Sequence, residues 1–210
     1  MHPEFESLLR RCPDLADSIP SIEAAYNLLS ATFRAGGKLL ICGNGGSAAD
    51  SDHMVGELMK GFEHKRPIPP ELRKRLTGIN ADRGAYLAAR LQGALPAISL
   101  SAHSALSTAI SNDTAGDMVY AQQVLGYGHS GDALIGISTS GNSANVLNAL
   151  QVARALDVHT IGLTGQSGGA LPTLCDVTIC VPSTRTLEIQ ERHLAIYHTL
   201  CLMLEQEFFE

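Results

Sequence analysis

The sequence predicts an α/β fold: a parallel sheet with helices on both faces. Three observations predict it. The apolar run Lys38-Leu39-Leu40-Ile41-Cys42 passes through Gly43-Asn44-Gly45-Gly46-Ser47 into a helical pattern that carries His53, Glu57 and Gly61. A second unit repeats that order, with Ala133-Leu134-Ile135-Gly136-Ile137, then Ser138-Thr139-Ser140-Gly141-Asn142-Ser143, then a helix. Further apolar runs at 158–163 and 177–181 alternate with helical patterns, as parallel strands joined by crossover helices require.

Taken in order, residues 3–12 read as a short helix stopped near Pro13. Ser18 and Ser21 offer N-caps around Pro20, a favoured early-helix residue. Ile22, Ala25, Leu28, Leu29, Ala31 and Phe33 then recur at helical spacing until Gly36-Gly37. The strand at 38–42 and the helix to about Gly61 follow. From Phe62 to Arg75 the chain is charged and carries Pro67, Pro69 and Pro70, the pattern of an exposed connection leading into a short helix. Ala81 to Gln92 is helical in pattern, and 97–100 is a short strand. Helical patterns at 105–110 and 117–125 end at Asn112-Asp113 and at Gly126-Tyr127-Gly128. After the strand at 133–137, a helix spans about 143–156. Strand 158–163 turns through Thr164-Gly165-Gln166-Ser167-Gly168-Gly169, and strand 177–181 precedes a closing helix over about 186–208. The 210 residues are expected to form a single domain.

Composition narrows the partners. A net charge of −6 argues against a nucleic-acid surface. The basic cluster Lys65-Arg66 and Arg73-Lys74-Arg75 reads as a solvated face. No apolar run approaches the ~20 residues of a membrane span, and the N-terminal stretch has no signal-peptide pattern. Five cysteines, Cys12, Cys42, Cys175, Cys180 and Cys201, form an odd set with no C-x-x-C pair. Buried free thiols in a reducing cytoplasm are the expectation.

The two loops point to a phosphorylated ligand at the C-terminal edge of the sheet, where helix N-termini present free N–H groups. Gly43, Gly45 and Ala48 match a dinucleotide fingerprint only weakly, because Glu63, the acid about 20 residues on, precedes a proline-rich connection with no second strand. No Gly-Lys-Ser/Thr follows, which excludes a P-loop. Ser138, Thr139, Ser140 and Ser143 supply more hydroxyls than helix capping needs, and the surplus favours phosphate. His53 and Glu57, at i and i+4, share one helix face. Gln190 and His198 on the last helix diverge by about 80° and about 12 Å. Spacing alone therefore does not assemble these four, and His193 and Glu191 compete as candidates.

In combination, C-G-N-G-G-S, His53-x-x-x-Glu57, Asn112-Asp113, I-S-T-S-G-N-S, L-T-G-x-x-G-G and the closing I-Q-E…H resemble the phosphoheptose isomerases of the sugar isomerase (SIS) superfamily, over about residues 22–206. The resemblance implies a three-layer, flavodoxin-like fold with a five-stranded parallel sheet. It implies a homotetramer with sites at subunit interfaces, and isomerisation of sedoheptulose 7-phosphate to D-glycero-D-manno-heptose 7-phosphate. By motif, Asn44, Gly45, Gly46, Ser47, Glu57, Asn112, Asp113, Ser138, Thr139, Ser140, Ser143 and Gln190 correspond to the substrate-binding set. His53, Glu57, Gln190 and His198 correspond to a zinc site, with Glu57 as base and His198 as partner acid. The stretch from Glu57 to Asn112 is longer than the family pattern, with the extra length within about 63–96, at the mouth of the expected pocket.

Two other readings are open at this level. Ser111-Asn112-Asp113 and 119–124 also resemble the non-catalytic SIS proteins that associate with a replication initiator. That branch lacks the counterparts of Glu57 and His198, and their presence favours an enzyme. The longer connection also admits an isomerase of another phosphosugar.

Overall fold

The computed structural model describes residues 2–210. Five parallel strands, β1 (Leu39–Gly43), β2 (Ala97–Ser99), β3 (Ala133–Ser138), β4 (His159–Thr164) and β5 (Val177–Cys180), form one sheet in the order β2-β1-β3-β4-β5. This is the flavodoxin-like order that the family resemblance implies. In it the chain direction across the sheet reverses between β1 and β3, where α/β folds bind their ligands.

Residue alternation along the strands divides the interior into two cores. Leu39 and Ile41, Ile135 and Ile137, Ile161 and Leu163, and Ile179 face a layer built from α1 (Pro3–Arg11), α2 (Ile19–Arg34), α3 (Gly46–Met59) and α9 (Thr186–Phe209). Leu40, Cys42 and Leu134 face the opposite layer, where α7 (Val119–Tyr127) and α8 (Ala144–Ala155) supply Tyr120, Val124, Val146 and Leu150. The central strands β1 and β3 are thus buried on both sides, which explains why they read as continuous apolar runs.

Helix α9 is buried among α1, α2 and α3, and this accounts within one chain for the wide spread of its apolar residues. Ile196, Leu200, Leu202, Met203 and Leu204 are buried, whereas Leu187 and Leu194 stay exposed. Two shorter helices, α4 (Pro70–Ile79) and α5 (Ala81–Ala88), form a hairpin packed mainly on itself, and α6 (Ser104–Asp113) leads into α7.

Several local expectations are corrected. Ser18 precedes α2 but its hydroxyl donates to the Cys180 carbonyl at 2.9 Å and caps nothing, so it ties α2 to β5 instead. Helix α7 continues through Gly126 and Tyr127 and stops only at Gly128. Helix α5 ends at Ala88, short of Gln92, whose side chain is held by the Gly61 N–H at 2.6 Å.

The connection after α3 is not the solvated stretch its composition suggests. Ile68 and Arg66 are buried, and the Arg66 Nε donates to Glu205 Oε1 at 2.7 Å with both side chains fully inaccessible. The other two guanidinium nitrogens donate to the carbonyls of Leu58 at 2.7 Å and Glu57 at 2.9 Å, acceptors that the end of α3 would otherwise leave unpaired. Glu205 also accepts the backbone N–H groups of Phe62, Glu63 and His64. Lys65, Arg73, Lys74 and Arg75 are exposed as expected.

Candidate functional site

The loops that follow β1 and β3 stand side by side at the switch in chain direction. Gly45 has φ +57°, a conformation that favours glycine, and this turn leads directly into α3. Gly46 lies against the side-chain amide of Gln190, and any Cβ there would overlap it. The first glycine loop is therefore sealed onto the first turn of α9. Ser47 is buried behind the loop. Asn44 and Asn145 exchange two amide hydrogen bonds, of 2.8 and 2.9 Å, and so tie the first loop to the start of α8. Sequence reading passed over Asn145; its place in the first turn of the helix after the serine loop was the available signal.

The serine loop is organised around its own hydroxyls. Ser143 occupies the N-cap position of α8 but its side chain does not cap the helix. Its Oγ meets Ser138 Oγ at 2.9 Å, and Ser138 Oγ meets Ser140 Oγ at 3.5 Å. Three hydroxyls thus converge beside free helix N–H groups, the donor set that a phosphate uses. Thr139 sits between them and its carbonyl accepts the Gly165 N–H at 3.2 Å. The loop after β4 supports the arrangement from below, because the Ala170 N–H donates both to the Gly141 carbonyl and to Asn142 Oδ1.

One turn and more into α3, a second group assembles against α9. His53 Nε2 lies 3.3 Å from Glu57 Oε1 and 3.4 Å from His198 Nε2. The two imidazoles meet edge to face, 4.9 Å between centroids, and the Phe62 ring lies 5.3 Å from His198. Lys60 Nζ holds the other Glu57 oxygen at 3.1 Å. Burial, and next the nearby His53, shift His198 below the usual histidine range, so it rests neutral at neutral pH. Behind His53, the Tyr197 hydroxyl lies 2.9 Å from His53 Nδ1 and 3.3 Å from Asp50 Oδ1. Burial raises the Asp50 carboxyl above its ordinary value, and burial together with Asp50 raises the Tyr197 phenol.

Other candidates are placed differently. Asn112 and Asp113 sit exposed at the end of α6, where Asn112 Nδ2 donates to Asp113 Oδ1 at 2.8 Å; among the described residues neither side chain is hydrogen-bonded to the two loops. Glu191 is exposed and pairs with Arg192. His193 points into the interior, fully buried, with neither ring nitrogen hydrogen-bonded and its pKa pushed down to about 4 by burial. Neither residue joins the His53 group. Gln190, on the glycine loop, makes no side-chain hydrogen bond to His53, Glu57 or His198 among the described residues.

Two imidazole nitrogens and a carboxylate are donors that zinc takes. Metal bonds of about 2.0–2.2 Å in a tetrahedral centre put the donors about 3.3–3.5 Å apart. The His53–Glu57 and His53–His198 separations have that size. Among the described residues, however, no group of three or more His, Cys, Asp and Glu is arranged as a closed metal site. The donor chemistry and two of the edges fit, and the complete set does not close in the single chain.

The sequence pattern that defines the SIS domain matches residues 5–78 and 81–165. The phosphoheptose isomerase of Rhodospirillum rubrum is 41% identical over 191 residues, which cover 91% of this chain and 88% of that protein. The phosphoheptose isomerase of Trichlorobacter lovleyi is 42% identical over 190 residues, 90% of this chain and 83% of that one. Among solved structures, phosphoheptose isomerase from Neisseria gonorrhoeae superposes with a TM-score of 0.75 at 33% identity, covering 96% of this chain and 95% of that chain. Phosphoheptose isomerase from Francisella tularensis gives 0.77 at 32% identity, covering 96% and 94%.

Proposed function

Because the chain belongs to the phosphoheptose isomerases of the SIS-domain family, we infer that it interconverts sedoheptulose 7-phosphate and D-glycero-D-manno-heptose 7-phosphate. It is an isomerase, and its substrate is a small phosphosugar. Two groupings support the site assignment: the serine hydroxyls at the start of α8, and His53 and Glu57 on α3 with His198 on α9.

The serine loop holds the phosphate through Ser138, Thr139, Ser140 and Ser143 and the N–H groups at the start of α8. Asn44, Gly45, Gly46, Ser47 and Gln190 shape the wall along the sugar. Asn112 and Asp113 complete the substrate-binding set from α6. Glu57 removes the proton from C1 of the ketose and returns it to C2 of the ene-diol. The remaining hydroxyl proton has to pass from O1 to O2, and His198 relays it. A neutral imidazole can act in this way as a hydrogen-bond donor to the developing oxyanion.

The zinc site we assign to His53, Glu57, His198 and Gln190. Its support is the donor chemistry and the two donor separations; zinc bound there would polarise the carbonyl and ene-diol oxygens. The chain is a homotetramer on this reading, with sites completed at subunit interfaces, and the exposed Leu187 and Leu194 on α9 are available for such contacts. Five unpaired thiols support a reducing, cytoplasmic location, and the net charge of −6 supports the absence of a nucleic-acid partner. No helix is long and apolar enough to cross a membrane among the described residues.

The test is an isomerase assay on a panel of ketose phosphates, with and without zinc. Sedoheptulose 7-phosphate is expected as the preferred substrate; preference for a hexose or pentose phosphate would reassign the specificity to the 63–96 connection.

A further inference from the structure

Behind the His53 group lies a short, partly buried chain of hydrogen bonds whose protons can be assigned by counting. Asp50 Oδ1 is 3.3 Å from the Tyr197 hydroxyl, and the same hydroxyl is 2.9 Å from His53 Nδ1. The second Asp50 oxygen is buried with no partner, so the tyrosine is the sole side-chain donor within reach of this carboxylate among the described residues. Tyr197 is itself buried.

A carboxylate only accepts, a tyrosine has one proton to give, and a neutral imidazole carries its proton on one nitrogen or the other. If Tyr197 gave its proton to His53 Nδ1, Asp50 would be left without any side-chain donor in a buried place, at a cost of about 1–3 kcal/mol or more. If Tyr197 gives its proton to Asp50, the hydroxyl oxygen is free to accept from His53 Nδ1–H. With Asp50 ionised, only this second assignment satisfies both contacts.

We propose that Asp50 and Tyr197 are positioning residues that fix His53 as the Nδ1–H tautomer, with its Nε2 bare and turned toward Glu57 and His198. The consequence is electrostatic. The bare Nε2 and Glu57 Oε1, both acceptors, then stand 3.3 Å apart with no proton between them, an arrangement that a cation or a transferred proton relieves. The value of this arrangement to zinc rests on the zinc reading above, whereas the tautomer itself does not.

The experiment uses the full-length chain stripped of metal. Long-range proton–nitrogen correlation spectra of the histidine rings report which nitrogen is protonated. In the parent protein His53 is expected to show a protonated Nδ1 and a bare Nε2. Tyr197→Phe keeps the ring and the packing and removes only the hydroxyl, and His53 is expected to move its proton to Nε2. Asp50→Asn frees Tyr197 to donate to His53 and is expected to move the proton the same way. In chelator competition, Tyr197→Phe should bind zinc about tenfold more weakly, the lower end of the effect usual for outer-shell partners. A protonated Nε2 in the parent protein, or an unmoved proton in Tyr197→Phe, overturns the proposal. Failure of the parent protein to bind zinc would overturn the metal assignment and leave the tautomer result to stand or fall alone.

Discussion

Gly46 and Gln190 lie in contact across the junction of α3 and α9, so closely that a methyl group on Gly46 would occupy the space of the Gln190 amide. The contact makes the position of Gln190 a property of the glycine loop. Gly46→Ala should displace Gln190 with the fold retained, and lower kcat/KM by about 10- to 100-fold, the scale of a 1 Å misplacement. Steady-state kinetics alongside circular dichroism checks this; an active variant with Gln190 displaced would remove Gln190 from the site.

Ser138, Ser140 and Ser143 share one hydroxyl cluster. Ser140→Ala with Ser143→Ala should raise the dissociation constant for a phosphosugar by more than about tenfold, from the loss of two hydrogen bonds to a charged ligand. Calorimetric titration measures it. An unchanged constant would take the phosphate away from this loop.

Glu57→Gln and His198→Asn should each leave a folded protein that binds phosphosugar and turns it over about 10²- to 10⁴-fold more slowly. Zinc content, ligand affinity and incorporation of solvent hydrogen into the sugar, measured on the same samples, separate the roles. Slow turnover with zinc retained marks a proton-transfer role; parallel loss of zinc and activity marks a ligand role. Near-normal hydrogen incorporation in Glu57→Gln would show that another group is the base.

The Arg66–Glu205 pair is fully buried, and removal of one partner strands the other charge. Arg66→Met should therefore destabilise the chain by about 3–5 kcal/mol. Chemical denaturation followed by fluorescence or circular dichroism gives the value, and a change below about 1 kcal/mol would mean that water reaches Glu205.

The same carboxylate sets a pH dependence. Burial pushes Glu205 up, but the N–H donors of Phe62, Glu63 and His64 and the Arg66 guanidinium outweigh it, and its pKa lies below the ordinary 4.5. A carboxyl depressed on folding stabilises the protein fully above its unfolded value, and this stability is lost as the pH falls through the folded value. Glu207, held down by Ser30, Tyr26 and Arg34 against burial, acts in the same direction. Denaturation midpoints should thus fall steadily below about pH 4.5, and in Arg66→Met, where Glu205 loses one of the groups that hold its pKa down, its contribution to this decline should shrink.

The sheet and its loops were legible because the central strands are buried on both faces and the loops after β1 and β3 are marked by glycine and serine. The His53–Glu57 pairing followed from helical spacing. What α9 contributes did not, because Gln190 and His198 diverge on their own helix; they belong to one region only because different parts of α3 reach them, Gly46 at its start and His53 two turns on. Tyr197 and Asp50 were passed over for the same reason, since their contact spans 147 residues of sequence. Arg66 misled in the opposite direction. Its neighbours Lys65 and Pro67 are exposed, and nothing local distinguishes the one arginine whose partner waits 139 residues away.

That arginine and its glutamate also decide how the surface moves in time. The amides of Phe62, Glu63 and His64 belong to no helix or strand, yet each ends on a carboxylate sealed inside the protein. Their hydrogens can be reached by solvent only when the end of α3 lifts away from α9. Helix α4, a few residues on, is regular but has no buried residue at all. Its amides need only a local fraying. In an amide-exchange experiment the irregular segment should be the slow clock and the helix the fast one, with the boundary at the prolines 67–70 that join them.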